Sequence, residues 1–219
     1  MIKLVPQFVN LCATLILLLS FAMISQRRIV SLINLFMVQG AVLVVASFLL
    51  GYVSGLEELY ISGALTLALK VIFIPWMLHR VIRRLNVRWD VETLFNVPTT
   101  MLVGIGLVIF AFSLALPVSR LSHSVAGGSL GIALACVLLS FMMMITRSKA
   151  VPQVIGFLSM ENGLIFAATT VTNGMPMIVE FGIALDVLVG VLILGVFMFQ
   201  IREKFDSLDI HHLETLKED

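Results

Sequence analysis

Lys70, Glu161 and Asp186 each lie near the middle of an apolar stretch. A charged side chain at bilayer depth costs about 3 to 10 kcal/mol. Residues carrying that cost usually mark an ion or proton path. Two acids and one base on three separate segments have the chemistry of one relay. Lys70 beside either acid holds both ions charged, and protonation of that acid would release the lysine to change partner. The residue types leave open which acid Lys70 meets.

The neighbours fit the same chemistry. Gly182, Asp186 and Gly190 recur at every fourth position, so a helix carries them on one stripe with room for water or a backbone beside the carboxylate. Ser62, Thr66 and Lys70 form a second stripe, a polar lining. Pro75 removes the backbone hydrogen bond to the carbonyl of Val71, which predicts a kink beside Lys70. Asn162 follows Glu161, and Gly156, Ser159 and Gly163 keep that segment slim. Glu180 falls near the outer interface, as a hydrated residue or a mouth for protons. Asn10, Asn34 and Gln39 read as interhelical hydrogen-bond glue.

The elements that position these groups are membrane helices. The chain has 60% hydrophobic and 12% charged residues, and its mean hydropathy of +1.10 is far above that of soluble domains. A net charge of +1 makes no electrostatic case for nucleic acid. About 20 apolar helical residues cross the hydrocarbon core. Charge-free runs predict seven spans, residues 4–26, 29–56, 59–78, 93–119, 121–146, 150–171 and 177–201. The fifth enters after the loose Ala126-Gly127-Gly128. The runs are continuous rather than alternating, which argues against a β-barrel. The first run is longer than a signal peptide's apolar region, and no small-x-small cleavage site follows it.

Lys3 and Arg120 alone mark one set of helix ends; eleven Lys and Arg residues mark the other, including Arg27, Arg28, Arg80, Arg83, Arg147 and Lys149. The positive-inside rule then predicts an N-terminus outside and a C-terminus in the cytoplasm. Glu161 lies 12 residues from Lys149, about 18 Å deep at the helical rise. Lys70 lies 10 residues from Arg80, and Asp186 lies 10 from Pro176, each about 15 Å deep. All three reach the midplane.

Other chemistries find little support. Cys12 and Cys136 fall inside apolar spans without CxxC spacing and read as filler. His79, His123, His211 and His212 fall in loops or the tail, so no metal site is expected. Met142-Met143-Met144 reads as adaptable packing. No internal repeat, phosphate loop or nucleophile elbow is visible.

The segment Gly156-Phe157-Leu158-Ser159-Met160-Glu161-Asn162-Gly163 resembles the membrane-embedded glutamate motif of the K-type subunit of respiratory complex I. More closely, it resembles the Met-Glu-Asn-Gly element of the hydrogenase-4 component E family. Gly182-Ile183-Ala184-Leu185-Asp186, Lys70-Val71 with Pro75, and the tail at Leu208-Asp209-Ile210 and residues 213–217 are similar to that family too. The K-type resemblance covers residues 124–216, and the component E resemblance covers nearly the whole chain. One departure is Asp186, where K-type subunits of complex I usually carry glutamate; the shorter side chain calls for a bridging water.

The resemblance implies an all-α integral membrane protein. A four-helix region (1–123) would precede a K-like three-helix region (124–201) and a cytoplasmic tail (202–219). It implies a subunit of a complex-I-like oxidoreductase of the group 4 [NiFe]-hydrogenase or formate hydrogenlyase type, in a bacterial or archaeal inner membrane. Nickel–iron and iron–sulfur centres would belong to partner subunits, with no cofactor and no catalytic centre on this chain. Expected partners are antiporter-like and quinone-site-like membrane subunits and a hydrogenase-type peripheral arm. Glu161 and Asp186 would pass protons, and Lys70 would extend or tune that axis. The tail, with Phe205, Leu208, Leu213 and Leu216 among charges, would pack on a neighbouring subunit. Alternatives are a K-type subunit of complex I or of an Mrp-type antiporter, a structural subunit, and a free-standing carrier. The four extra N-terminal helices argue against the first two.

Overall fold

A computed structural model describes residues 5–85, 96–121, 126–172, 182 and 188–190. Every element among them is a helix. Helices α1 (Val5–Ser25) and α2 (Ile29–Ser54) are followed by α3, built from Glu57–Thr66, a π-helical Leu67–Phe73 and Ile74–Leu85. Then come α4 (Val97–Leu121), α5 (Ala126–Thr146) and α6 (Ala150–Thr172). All six are long and apolar enough to cross a membrane, and the chain is a multi-pass membrane protein. Of the expected seventh span, Gly182 and residues 188–190 are described; Glu180, Asp186 and the tail lie outside the described residues.

Helix is the form these runs must take in lipid, where each backbone N–H and C=O needs an internal partner. α2 stops at Gly55, whose φ of 65° and N–H bond to the Gly51 carbonyl make a left-handed cap. Ala126-Gly127-Gly128 already belongs to α5 rather than to a loose entry. α3 continues past the apolar boundary to Leu85, so His79 lies on a helix and not in a loop. Charges end a membrane span without ending a helix.

Two apolar clusters fill the bundle at different depths. One joins Phe36, Met77, Met143, Leu158 and Val189; the other joins Ile16, Leu43, Cys136 and Phe166. α1 and α2 pack on α5 and α6. The paired α5 and α6 come together over small residues. A methyl added to Gly156 would meet Met144 Cγ at 2.9 Å, one on Gly163 would meet Val137 Cγ2 at 3.1 Å, and the Ser140 and Ser159 hydroxyls share a hydrogen bond of 2.8 Å. Close backbone approach of this kind replaces the hydrophobic drive that lipid removes. Gly156→Leu is therefore expected to lower stability by about 1–3 kcal/mol, read as an earlier midpoint in thermal unfolding of the solubilised chain. Gly156→Ala should cost less than leucine, because its single methyl meets Met144 Cγ at 2.9 Å and the Ser140 carbonyl at 3.3 Å without a longer side chain to place.

Arg147 is a loop cation by sequence, yet it is 2% exposed. Its Nη2 donates to the carbonyls of Ile24 at 2.6 Å and Met23 at 3.3 Å, closing the C-terminus of α1. Burial pushes the guanidinium down to about 10, which leaves it charged at neutral pH.

Candidate functional site

Between the two apolar clusters lies a polar layer. Along α1 the order is Ile16, Ser20, Met23; along α2 it is Phe36, Gln39, Leu43; along α6 it is Leu158, Glu161, Asn162, Phe166. The polar members are shut off from solvent, with Lys70, Gln39 and Asn162 at 0% exposure and Ser20 and Glu161 at 2%. Ser62 and Thr66 are buried on the same helix as Lys70, so the predicted stripe faces inward.

Lys70 sits in the π-helical turn of α3, where the Ile74 N–H reaches back to the Leu69 carbonyl, five residues away. Pro75 marks the neighbourhood in the sequence, but the distortion is a widened turn on its N-terminal side. A proline cannot donate to the preceding turn, and wider winding accommodates the gap. Single π-turns of this sort recur at functional sites. Gly40 of α2 makes the approach of that turn possible: a methyl there would meet Val71 Cγ2 at 3.3 Å and Lys70 Cβ at 3.7 Å. Gly40→Leu is expected to push the lysine turn outward and to destabilise the chain by about 1–3 kcal/mol, with Gly40→Ala near neutral. Thermal melts of the two variants give the comparison.

From that turn Lys70 reaches α6. Its Nζ lies 3.1 Å from Glu161 Oε1 and donates to Asn162 Oδ1 at 3.1 Å. The Asn162 amide donates to Gln39 Oε1 at 3.2 Å, Gln39 Nε2 donates to Ser20 Oγ at 3.0 Å, and the Ser20 hydroxyl donates to the Ile16 carbonyl at 3.0 Å. Hydrogen bonds thus link four helices, all running in one sense. The chain presents an acceptor to Lys70 and leaves the ammonium as the donor at its end. Burying an ion pair costs several kcal/mol per ion, which only good geometry and added hydrogen bonds offset. Asn162 supplies such a bond.

The carboxylate has a backbone beside it as well. A methyl on Gly182 would lie 3.6 Å from Glu161 Oε1 and 3.1 Å from Ile165 Cδ1. Glycine at 182 places no side chain of its own against the acid. Chemically, the layer can switch between an ion pair and a protonated acid beside an ammonium, a change of one charge in a dry interior. Coulomb effects are large there.

Of the sequence-predicted residues, Lys70, Glu161 and Asn162 come together. Gln39 is interhelical glue and also part of this site, whereas Asn10 and Asn34 are exposed and, among the described residues, make no interhelical hydrogen bond. Their helix positions turn them outward. Ser20 and Gly40 went unmarked in the sequence. For Gln39 depth was the available signal: it is 11 residues from Arg28, between the 10 and 12 that place Lys70 and Glu161, whereas Ser20, 7 residues from Arg27, carries no such signal. Among the described residues no group of three His, Cys, Asp or Glu side chains could hold a metal ion.

No family model matches the chain, and no solved structure matches it significantly. Two kinds of relative do. Hydrogenase-4 component E of Escherichia coli (strain K12) is 25% identical over 209 residues, 95% of this chain and 97% of that protein. The protein of the same name from Shigella flexneri matches to the same extent. The Uncharacterized protein Rv0085 of Mycobacterium tuberculosis (strain ATCC 25618 / H37Rv) is 32% identical over 211 residues, 96% of each chain. With that identity over nearly its full length, the chain belongs to the same family as the mycobacterial Rv0085 protein, and hydrogenase-4 component E is a distant homologue.

Proposed function

We propose that this chain is a membrane subunit of a complex-I-like oxidoreductase of the hydrogenase-4 type, and that its buried Lys70–Glu161 pair forms part of a proton path. The observation that carries the reading is that pair: an ammonium on the π-turn of α3 and a carboxylate on α6, 3.1 Å apart, both buried between two apolar clusters. A proton reaching Glu161 cancels the ionic hold on Lys70 while Asn162 keeps the ammonium in place. The distant likeness to hydrogenase-4 component E supports the same assignment.

On this reading the chain crosses an inner bacterial or archaeal membrane seven times, N-terminus outside, and its last three helices are the K-like part. The similar depths of Lys70 and Glu161, 10 residues from Arg80 and 12 from Lys149, agree with both cations lying at the cytoplasmic face. Asp186 is the next acid, with Gly182 one turn before it, and Glu180 is an outer mouth. Redox centres belong to hydrogenase-type partners, and antiporter-like subunits continue the path.

The test is purification of tagged chain from its native membranes in mild detergent, with mass spectrometry of what accompanies it. Antiporter-like subunits together with a hydrogenase-type large and small pair are the expected company. A stable chain recovered alone would overturn the subunit assignment and bring forward a free-standing carrier.

A further inference from the structure

The C-terminal part of α3 carries an open groove of about 310 Å³ lined by Trp76, His79, Arg80 and Arg83. Their spacing puts them on one helix face. The Arg80 guanidinium lies 5.3 Å over the Trp76 ring, and Trp76 is 55% exposed. His79 Nδ1 lies 2.8 Å from the Pro75 carbonyl; because a carbonyl only accepts, Nδ1 carries the proton and the ring is held in one orientation. One turn nearer the midplane the surface turns apolar, with Ile72 and Phe73 exposed and the Phe73 ring 6.5 Å from Trp76.

Depth decides what this surface meets. Arg80 is 10 residues from Lys70, about 15 Å along the helix. That is half the thickness of a hydrocarbon core of about 30 Å. If the Lys70 layer marks the midplane, Arg80 and Arg83 stand at the headgroup boundary and Ile72 and Phe73 stand beside acyl chains. We infer that this groove binds an anionic phospholipid, its phosphate on Arg80 and Arg83 and its chains along Ile72, Phe73 and Trp76. A soluble phosphate would find no use for the apolar wall, and a zwitterionic lipid would gain less from two guanidinium groups. Arginine suits the role because its fork bonds a phosphate through two N–H groups, and Trp76 preorients the Arg80 fork. The binding surface rests on α3 spanning a membrane with the Lys70 layer at its midplane, as in the function proposed above.

The test uses the full chain carrying Trp89→Phe, which leaves Trp76 as its one tryptophan. It is reconstituted in phosphatidylcholine vesicles doped with either brominated phosphatidylglycerol or brominated phosphatidylcholine at equal fraction. Trp76 fluorescence should be quenched several-fold more by the anionic lipid. Arg80→Gln with Arg83→Gln should abolish that several-fold preference, whereas Arg27→Gln with Arg28→Gln, at exposed positions elsewhere, should keep it. Equal quenching by the two lipids in the unsubstituted groove would overturn the inference even if the arginine variants failed to insert. A preference that survives the Arg80 and Arg83 substitutions would overturn it too. So would loss of the preference on adding inorganic phosphate but not chloride of equal ionic strength, because the groove would then belong to a soluble anion.

Discussion

The Glu161→Gln variant is expected to cut proton translocation per assembled complex by about 100-fold, the scale at which a positioned proton-transfer group contributes, and to accumulate to a lower level because the buried Lys70 ammonium loses its counter-ion. The amide is nearly isosteric with the carboxylate and keeps an oxygen toward Lys70, which lies 3.1 Å from Glu161 Oε1. It has no proton to take up or release in the working pH range. Lys70 retains that oxygen and Asn162 Oδ1 as acceptors, at 3.1 Å for the latter, so the geometry of the layer survives although its charge cycle does not. The measurement is dye-reported acidification in inverted membrane vesicles, normalised to the amount of assembled complex. Normal acidification in the variant would remove Glu161 from the path.

Lys70→Met is expected to be the more damaging single change. It takes the donor away from Glu161 and Asn162 together, and breaking one side of a buried pair costs about 3–5 kcal/mol. Much less of the chain should accumulate in the membrane. The combination Lys70→Met with Glu161→Gln removes both charges, and replacing a whole buried pair by neutral groups is often close to neutral for folding. Accumulation should therefore recover in the double variant while translocation stays lost. Quantitative blotting of membranes alongside vesicle acidification reads the two quantities separately. Recovery of both would mean that the pair is a clasp between α3 and α6 and carries no proton.

Much of the polar layer is legible in the amino-acid sequence. Lys70 and Glu161 stand out because each interrupts an apolar run, where the cost of an ion demands a reason. Asn162 is legible as the neighbour of Glu161. The partner of Lys70 is not, since Glu161 and Asp186 both reach the midplane; the pairing with Glu161 depends on how α3 is rotated against α6. Gln39, Asn10 and Asn34 look alike in sequence, yet Gln39 is fully buried while the two asparagines are exposed. Pro75 announces a disturbance in α3, but its form as a π-turn over Leu67–Phe73 goes with the close passage of Gly40 beside Lys70 and Val71. Arg147 counts as a loop cation until α1 brings two carbonyls to it.

These cases divide along one line. The sequence by itself determined approximate depth: the helical rise varies little, and the charges at the span ends mark where counting begins, so Lys70 and Glu161 fall within about 3 Å of one level. Outside the Ser62–Thr66–Lys70 stripe of α3, tertiary structure decided direction around the helix axes. These helices are apolar nearly all round, and lipid and protein interior are similar as solvents for an aliphatic side chain, so no hydrophobic stripe announces the inward face. Close packing at Gly40, Gly156 and Gly163, with the hydrogen bonds from Ser20 to Lys70, turns each helix until the polar groups meet.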